Sequence, residues 1–183
     1  MRIADTDILI LPGLGNSGPG HWQVRWAEKM STAAIVEQAD WDDPDPDDWT
    51  DTIVAAVELA KRPVVLVAHS LACIALVQAA PRFPEGKVKG ALLVSPPDLE
   101  TNATVPDEAR AFSPVPRDPL PFPSLLVISS TDPLCSLERA ADFAACWGSD
   151  FHQAGDAGHI NTSSGHGPWP EGLMMFTRLM QRL

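Results

Sequence analysis

Five short apolar runs, at residues 8–11, 34–37, 64–68, 91–95 and 125–129, are separated by longer stretches of helical character. No other feature of the chain restricts its fold as strongly. Runs of four or five residues, bounded by Gly, Pro or polar residues, predict strands buried on both faces. Residues 151–153 give a weaker sixth candidate. The intervening stretches 22–30, 48–60, 71–80, 137–147 and 172–183 predict helices. The second carries acids in its first turn and ends at Lys61-Arg62, as a helix dipole favours. The third is nearly all apolar, which predicts burial on every side. Gly148 follows the fourth as an expected C′ glycine. Regular alternation of strand and helix predicts an α/β chain with a mostly parallel sheet and helices on both faces.

Two regions interrupt the pattern. "DWDDPDPDDW", residues 40–49, reads as a solvated acidic turn leading into a helix N-terminus. Residues 96–123 contain eight prolines and little periodicity. An irregular connection of that length is either a functional loop over a site or a surface excursion.

A chain of 183 residues suits one domain, 1–183. A net charge of −11 argues against nucleic acid or an anionic membrane as partner. No apolar stretch reaches the ~18 residues of a membrane span, and no signal peptide is recognisable. The expected location is therefore the cytoplasm, with Cys73, Cys135 and Cys146 as reduced thiols. No C-x-x-C or H-E-x-x-H is present, so a zinc site has weak support; no metal and no cofactor are expected.

The first strand candidate runs into Gly13-Leu14-Gly15-Asn16-Ser17-Gly18, which spells G-x-G-x-x-G. In a dinucleotide site the third glycine already lies inside the helix. Here Gly18 precedes Pro19-Gly20, so the helix starts at about Pro19 or later. The glycines then form a longer loop, and an oxyanion-binding role fits it better.

"VVLVAHSLAC", residues 64–73, supplies the chemistry for such a role. A β-branched run stops at Ala68 and an apolar helix starts after Ser70. This is the context of a nucleophile elbow, usually G-x-S-x-G because close packing admits only small residues two before and two after the serine. Ala68 and Ala72 occupy those positions. A capping serine would read the same way locally. A serine hydroxyl needs an imidazole to take its proton and a carboxylate to fix the imidazole's tautomer. Asp132 follows the strand at 125–129, and His159 lies in "AGDAGHIN" after the candidate at 151–153. Ser70, Asp132 and His159 are thus the expected nucleophile, acid and base. Asp156 is the alternative acid, disfavoured because it shares the histidine's loop.

Backbone N–H groups of Leu71 and Leu14 are the expected oxyanion donors, with Gly15 replacing Leu14 if the loop is offset by one. Gly15 is the expected point of close approach to the serine. Gly15, His21, Trp22 and Trp169 are candidate pocket residues, with core packing the plainer reading of Trp22. His166 either shapes the pocket or lies at the surface. His69 is expected to pack away from the nucleophile. Cys73 lies a turn inside the helix, which disqualifies it as a rival nucleophile. The chain contains no tyrosine, so tyrosine acid–base chemistry is absent.

With these pieces in hand, "LPGLGNSGPGHWQVRW", "VAHSLAC", "SSTDPLCS" and "AGHINTSSGHGPWP" together resemble the small serine hydrolases related to retinoblastoma-binding protein 9 and the bacterial YdeN-like proteins. The resemblance runs nearly end to end. It implies an α/β-hydrolase fold of about six strands without a lid domain, with Ser70 as nucleophile, Asp132 as acid and His159 as base. Ala68 departs from the glycine usual in that family. The resemblance implies a reaction type, hydrolysis of small carboxylic esters or activated amides, rather than a metabolite. Some members are described as protein-binding factors, so a binding module with little turnover is the alternative expectation.

Overall fold

The computed structural model describes all 183 residues. Six strands form one parallel sheet: β1 Asp7–Leu11, β2 Ala33–Ile35, β3 Val64–His69, β4 Val88–Val94, β5 Ser124–Ile128 and β6 Asp150–Gln153. Their order is β2-β1-β3-β4-β5-β6. Five helices accompany them: α1 Trp22–Lys29, α2 Pro46–Leu59, α3 Leu71–Ala79, α4 Leu137–Trp147 and α5 Pro170–Arg182.

Side chains of successive strand residues point to opposite faces, and the core divides accordingly. Leu9, Leu11, Leu66, Ala68, Leu93 and Leu126 pack with α2, α3 and α4. Ile8, Ile10, Val65, Val67, Leu92 and Val127 pack with α1 and α5 through Trp22, Trp26 and Phe176. Helix α3 is enclosed by the first of these layers, which accounts for its apolar surface all round. The chain leaves β1 outward to β2 and leaves β3 outward to β4, so the topology switches between β1 and β3. Open α/β sheets form their ligand crevice outside the carboxyl ends of the strands at such a point. The glycine loop follows β1, and Ser70 follows β3.

Local chemistry explains where elements start and stop. Helix α1 begins at Trp22, with the His21 side chain capping it by accepting from the Gln23 N–H. Helix α2 begins at Pro46, two residues before its expected start. The Asp45 carboxylate accepts from the Asp47 and Asp48 N–H groups, and proline at the first position needs no acceptor. The acidic turn is thus the cap. Helix α4 ends at Gly148 in the left-handed conformation. Strand β2 is shorter than expected because it is an edge strand paired only with β1. Strand β4 begins three residues early, through the pairing of Val88 with Val64 across an irregular register step. Strand β6 is exposed along its whole length, which is why it carried a weak apolar signal.

Residues 96–123 contribute nothing to the walls around Ser70. Leu99, Val105, Phe112 and Phe122 are buried in the layer of α2, α3 and α4. The segment also grips the loop after β5. The Asp98 N–H donates to the Leu134 carbonyl at 2.9 Å. The Asn102 amide and the Thr104 hydroxyl both donate to the Pro133 carbonyl, each at 2.9 Å. Arg139 of α4 pairs with Asp98 and Glu100. The prolines therefore belong to a brace, and no lid is present. No helix is long and apolar enough to cross a membrane.

Candidate active site

Ser70 sits between β3 and α3 with φ 55° and ψ −128°. A non-glycine residue at positive φ is strained and persists only where its surroundings hold it. Its N–H donates to the Val94 carbonyl at 2.9 Å, so the turn is pinned to β4. Ala68 and Ala72 are both buried, and the turn forms without glycine at either place.

The Ser70 hydroxyl lies 2.9 Å from His159 Nε2. On the other side of the ring, Nδ1 is 2.9 and 3.0 Å from the two Asp132 oxygens. The Asp132 side chain is fully buried. A carboxylate at Nδ1 keeps the proton there, leaving Nε2 free to accept from the serine. Asp156 turns elsewhere: it accepts from the Thr131 hydroxyl at 2.7 Å.

The loop that carries His159 is secured by side chains distant in sequence. The Ser129 hydroxyl accepts from the Ala157 N–H at 2.9 Å and donates to the Gly155 carbonyl at 3.1 Å. Thr131 accepts from the Gly158 N–H at 3.1 Å. His69 Nε2 donates to the His159 carbonyl at 2.9 Å, and Trp22 Nε1 to the Ile160 carbonyl at 2.9 Å. Ile160, with φ 48°, is a β-branched residue in the left-handed region.

The glycine loop meets the elbow at Gly13. A Cβ at Gly13 would stand 2.8 Å from Ser70 Cβ and 2.9 Å from the His69 carbonyl, closer than real contacts allow. The expected point of approach, Gly15, is one step away in the pattern and has nothing within 4 Å of a Cβ. Its φ of +75° shows that it makes the turn rather than the contact. The Gly15 N–H is committed to the Trp41 carbonyl at 2.8 Å. Neither Leu14 nor Leu71 donates its N–H to any acceptor in the protein. Gln23, buried on α1, donates to the Leu11 and Val67 carbonyls and accepts from Ser17, tying the loop to the ends of β1 and β3.

Around Ser70 lies an open cleft of about 230 Å³ whose walls include Leu14, Asn16, His21, His69, Asn161 and Thr162. Leu14 is its one hydrophobic residue. His21 lines it, as expected of a pocket residue. Gly15, Trp22 and Trp169 do not. Trp22 and Trp169 are buried in the α1–α5 layer, where their rings stack among Trp26 and Phe176 because a large apolar surface gains most there. His166 also stands outside the cleft, edge-on to Trp169. Burial lowers His21 to about 4, with the charges of His159 and His166 adding to it. Burial likewise holds His69 well below the usual histidine range. The Cys73 thiol is pushed up by burial, and Cys135 is pushed up to about 12 by burial and by the charge of Asp132. Neither thiol ionises near neutral pH. No three His, Cys, Asp or Glu side chains are grouped to hold a metal ion.

Sequence reasoning counted Gly13 among the loop glycines but set the close approach at Gly15, and it passed over Gln23, Ser129 and Thr131. The last three act through contacts that no local spacing encodes.

Residues 8–178 match the family model described as serine hydrolase. A YdeN-like hydrolase from Pectobacterium atrosepticum is 30% identical, over 97% of this chain and 92% of that one, with a TM-score of 0.86. The ydeN gene product of B. subtilis is 18% identical, over 97% of this chain and 99% of that one, with a TM-score of 0.81. The type II thioesterase BorB of the borrelidin biosynthetic cluster shares the α/β-hydrolase fold, at 14% identity over 97% of this chain and 94% of that one and a TM-score of 0.68. No curated protein matches the chain significantly in sequence.

Proposed function

Because this chain belongs to the serine hydrolase family, we propose that it cleaves small carboxylic esters, or activated amides, through an acyl-enzyme on Ser70. The observation that carries the proposal is the unbroken contact from Ser70 through His159 to Asp132. In the reaction, His159 Nε2 takes the hydroxyl proton as Ser70 Oγ attacks the acyl carbon. Asp132 steadies the imidazolium that forms. The tetrahedral oxyanion accepts from the Leu71 N–H and the Leu14 N–H, the two donors left uncommitted beside the serine. The intermediate collapses as His159 returns the proton to the departing alkoxide or amine. Water, activated by the same histidine, then releases the acid and restores Ser70.

The size and polarity of the cleft support a short substrate. Its volume falls below the ~300–1,000 Å³ of sites for drug-sized ligands, and a single leucine offers little to a long acyl chain. The partner is accordingly a small molecule rather than a lipid surface. A panel of p-nitrophenyl esters from C2 to C12, run on the wild type and on Ser70→Ala, tests the proposal. It expects turnover that falls with chain length and vanishes in the variant. Turnover that survives in Ser70→Ala, or rises from C4 to C12, contradicts it. No Ser70-dependent turnover of any ester favours the binding module instead.

A further inference from the structure

Two histidines of the cleft have no part in the reaction as drawn, and the backbone settles where each keeps its proton. His21 Nδ1 accepts from the Gln23 N–H, and an N–H can only donate. The His21 proton is therefore on Nε2. His69 Nε2 contacts the His159 carbonyl, which can only accept. The His69 proton is therefore on Nε2 as well, and Nδ1 keeps its lone pair. His21 Nε2 and His69 Nδ1 have no hydrogen-bond partner in the protein. The rings are 5.0 Å apart between centroids, both residues are almost wholly buried, and both line the cleft beside Ser70. Together they offer one fixed donor and one fixed acceptor.

We propose that His21 and His69 form a recognition site for a neutral hydroxyl on the substrate, which makes the enzyme selective for small hydroxylated esters. A hydroxyl accepts from His21 Nε2–H and donates to His69 Nδ1, satisfying both nitrogens at once. An alkyl group of the same size satisfies neither and leaves two polar atoms desolvated. Charged substituents fit less well. The walls of the cleft hold no Lys, Arg, Asp or Glu. Burial keeps both rings neutral at pH 7, so they offer an anion no counter-charge. The remaining walls, Asn16, Asn161, Thr162 and Ser163, are themselves neutral and polar. His21 and His69 are specificity residues in this account; the proton transfers remain with His159.

The inference rests on the acyl-transfer reading of the same site, and the test separates the two. Two isosteric pairs are compared: phenyl glycolate with phenyl propanoate, and 2-hydroxyethyl acetate with propyl acetate. The first places the hydroxyl on the acyl side and the second on the alcohol side. Each kcat/KM is divided by the ester's own hydroxide-catalysed rate constant, which removes intrinsic reactivity. The wild type is expected to prefer the hydroxylated member of at least one pair by ~10-fold or more, the scale of a buried hydrogen bond left unmade. His21→Asn retains a side-chain cap for α1 but no longer reaches into the cleft, and that ratio should fall at least 5-fold. If the asparagine variant does not melt cooperatively, His21→Ser, also a capping residue, takes its place. Ratios near one in both wild-type pairs overturn the inference. So does a preference that survives in the folded His21 variant. Ser70-dependent hydrolysis without discrimination removes this inference alone. No hydrolysis above the Ser70→Ala background removes the acyl-transfer reading and this inference with it.

Discussion

The elbow at Ser70 and the loop that carries His159 face each other across the cleft but are held in opposite ways. The elbow is held by sterics and by regular structure. Strand β3 is buried along its length, helix α3 starts at the next residue, and Gly13 packs against the turn. The histidine loop contains no regular structure between Gln153 and the short helical turn at Thr162–Ser164. Hydroxyls and ring nitrogens from Ser129, Thr131, His69 and Trp22 hold its backbone instead. A strained residue can be maintained by either means. The steric device fails when atoms are added, and the polar device fails when atoms are removed.

Removing the reacting groups gives the largest effects. Ser70→Ala and His159→Ala should each lower ester kcat by at least ~10³-fold, because the three residues act as a unit. Asp132→Asn should approach that loss by favouring the wrong tautomer, whereas Asp156→Asn should cost little. Steady-state kinetics on one activated ester, with melting curves for each variant, checks this. A crippling Asp156→Asn beside a mild Asp132→Asn would reverse the assignment of the acid.

Adding one carbon on the elbow side comes next. Gly13→Ala brings a Cβ to 2.8 Å from Ser70 Cβ, and the backbone around the serine must shift. Misplacement by about an ångström costs ~10²-fold in kcat. Gly15→Ala adds its Cβ to open space and meets only the ~1–2 kcal/mol cost of a left-handed conformation. Its kcat should stay within about 3-fold of wild type while its melting temperature drops. Equal losses in the two variants would mean that close approach does not govern the elbow.

On the histidine side, Ser129→Ala deletes one oxygen and strands the Ala157 and Thr131 N–H groups. About 1–3 kcal/mol of stability should go with it. Since the loop carries His159, kcat should fall ~10-fold while KM changes little. A pure stability loss with normal kcat would make the bridge structural only.

That same contrast governs what could be read from the chain. The sheet, the helices on both faces and the turn after Ala68 follow from short apolar runs, because burial on both faces leaves a local signature. Strand β6 escaped a firm reading because an exposed edge strand has none. The placement of Trp22 and Trp169 in the core, and of residues 96–123 beneath the Asp132 loop, depends on which faces meet after folding. The gap between Gly13 and Gly15 shows the limit most closely. Both belong to one motif, yet only one faces the serine, and spacing alone does not say which.

Stability should follow pH through the cleft histidines. His21 lies at about 4 in the folded chain, against 6.5 when unfolded, and His69 is shifted in the same direction. Between those values the unfolded chain binds the extra protons, so lowering the pH favours unfolding. Stability is full above about pH 6.5 and declines toward pH 4, by at most ~1.4 kcal/mol per pH unit for each histidine. Urea midpoints at pH 7 and pH 5 should differ for the wild type, and less so for His21→Asn. A flat profile from pH 7 to 5 would mean that neither ring resists protonation.

The most direct test of the account is covalent. A fluorophosphonate reacts only with a serine whose proton can be taken at the moment of attack. Intact-mass spectrometry should show one adduct on the wild type, peptide mapping should place it on Ser70, and it should be absent from Ser70→Ala and strongly slowed in His159→Ala. A folded wild type that takes up no label, or an adduct mapped to another serine, would contradict the claim that Ser70 and His159 form a working nucleophile and base.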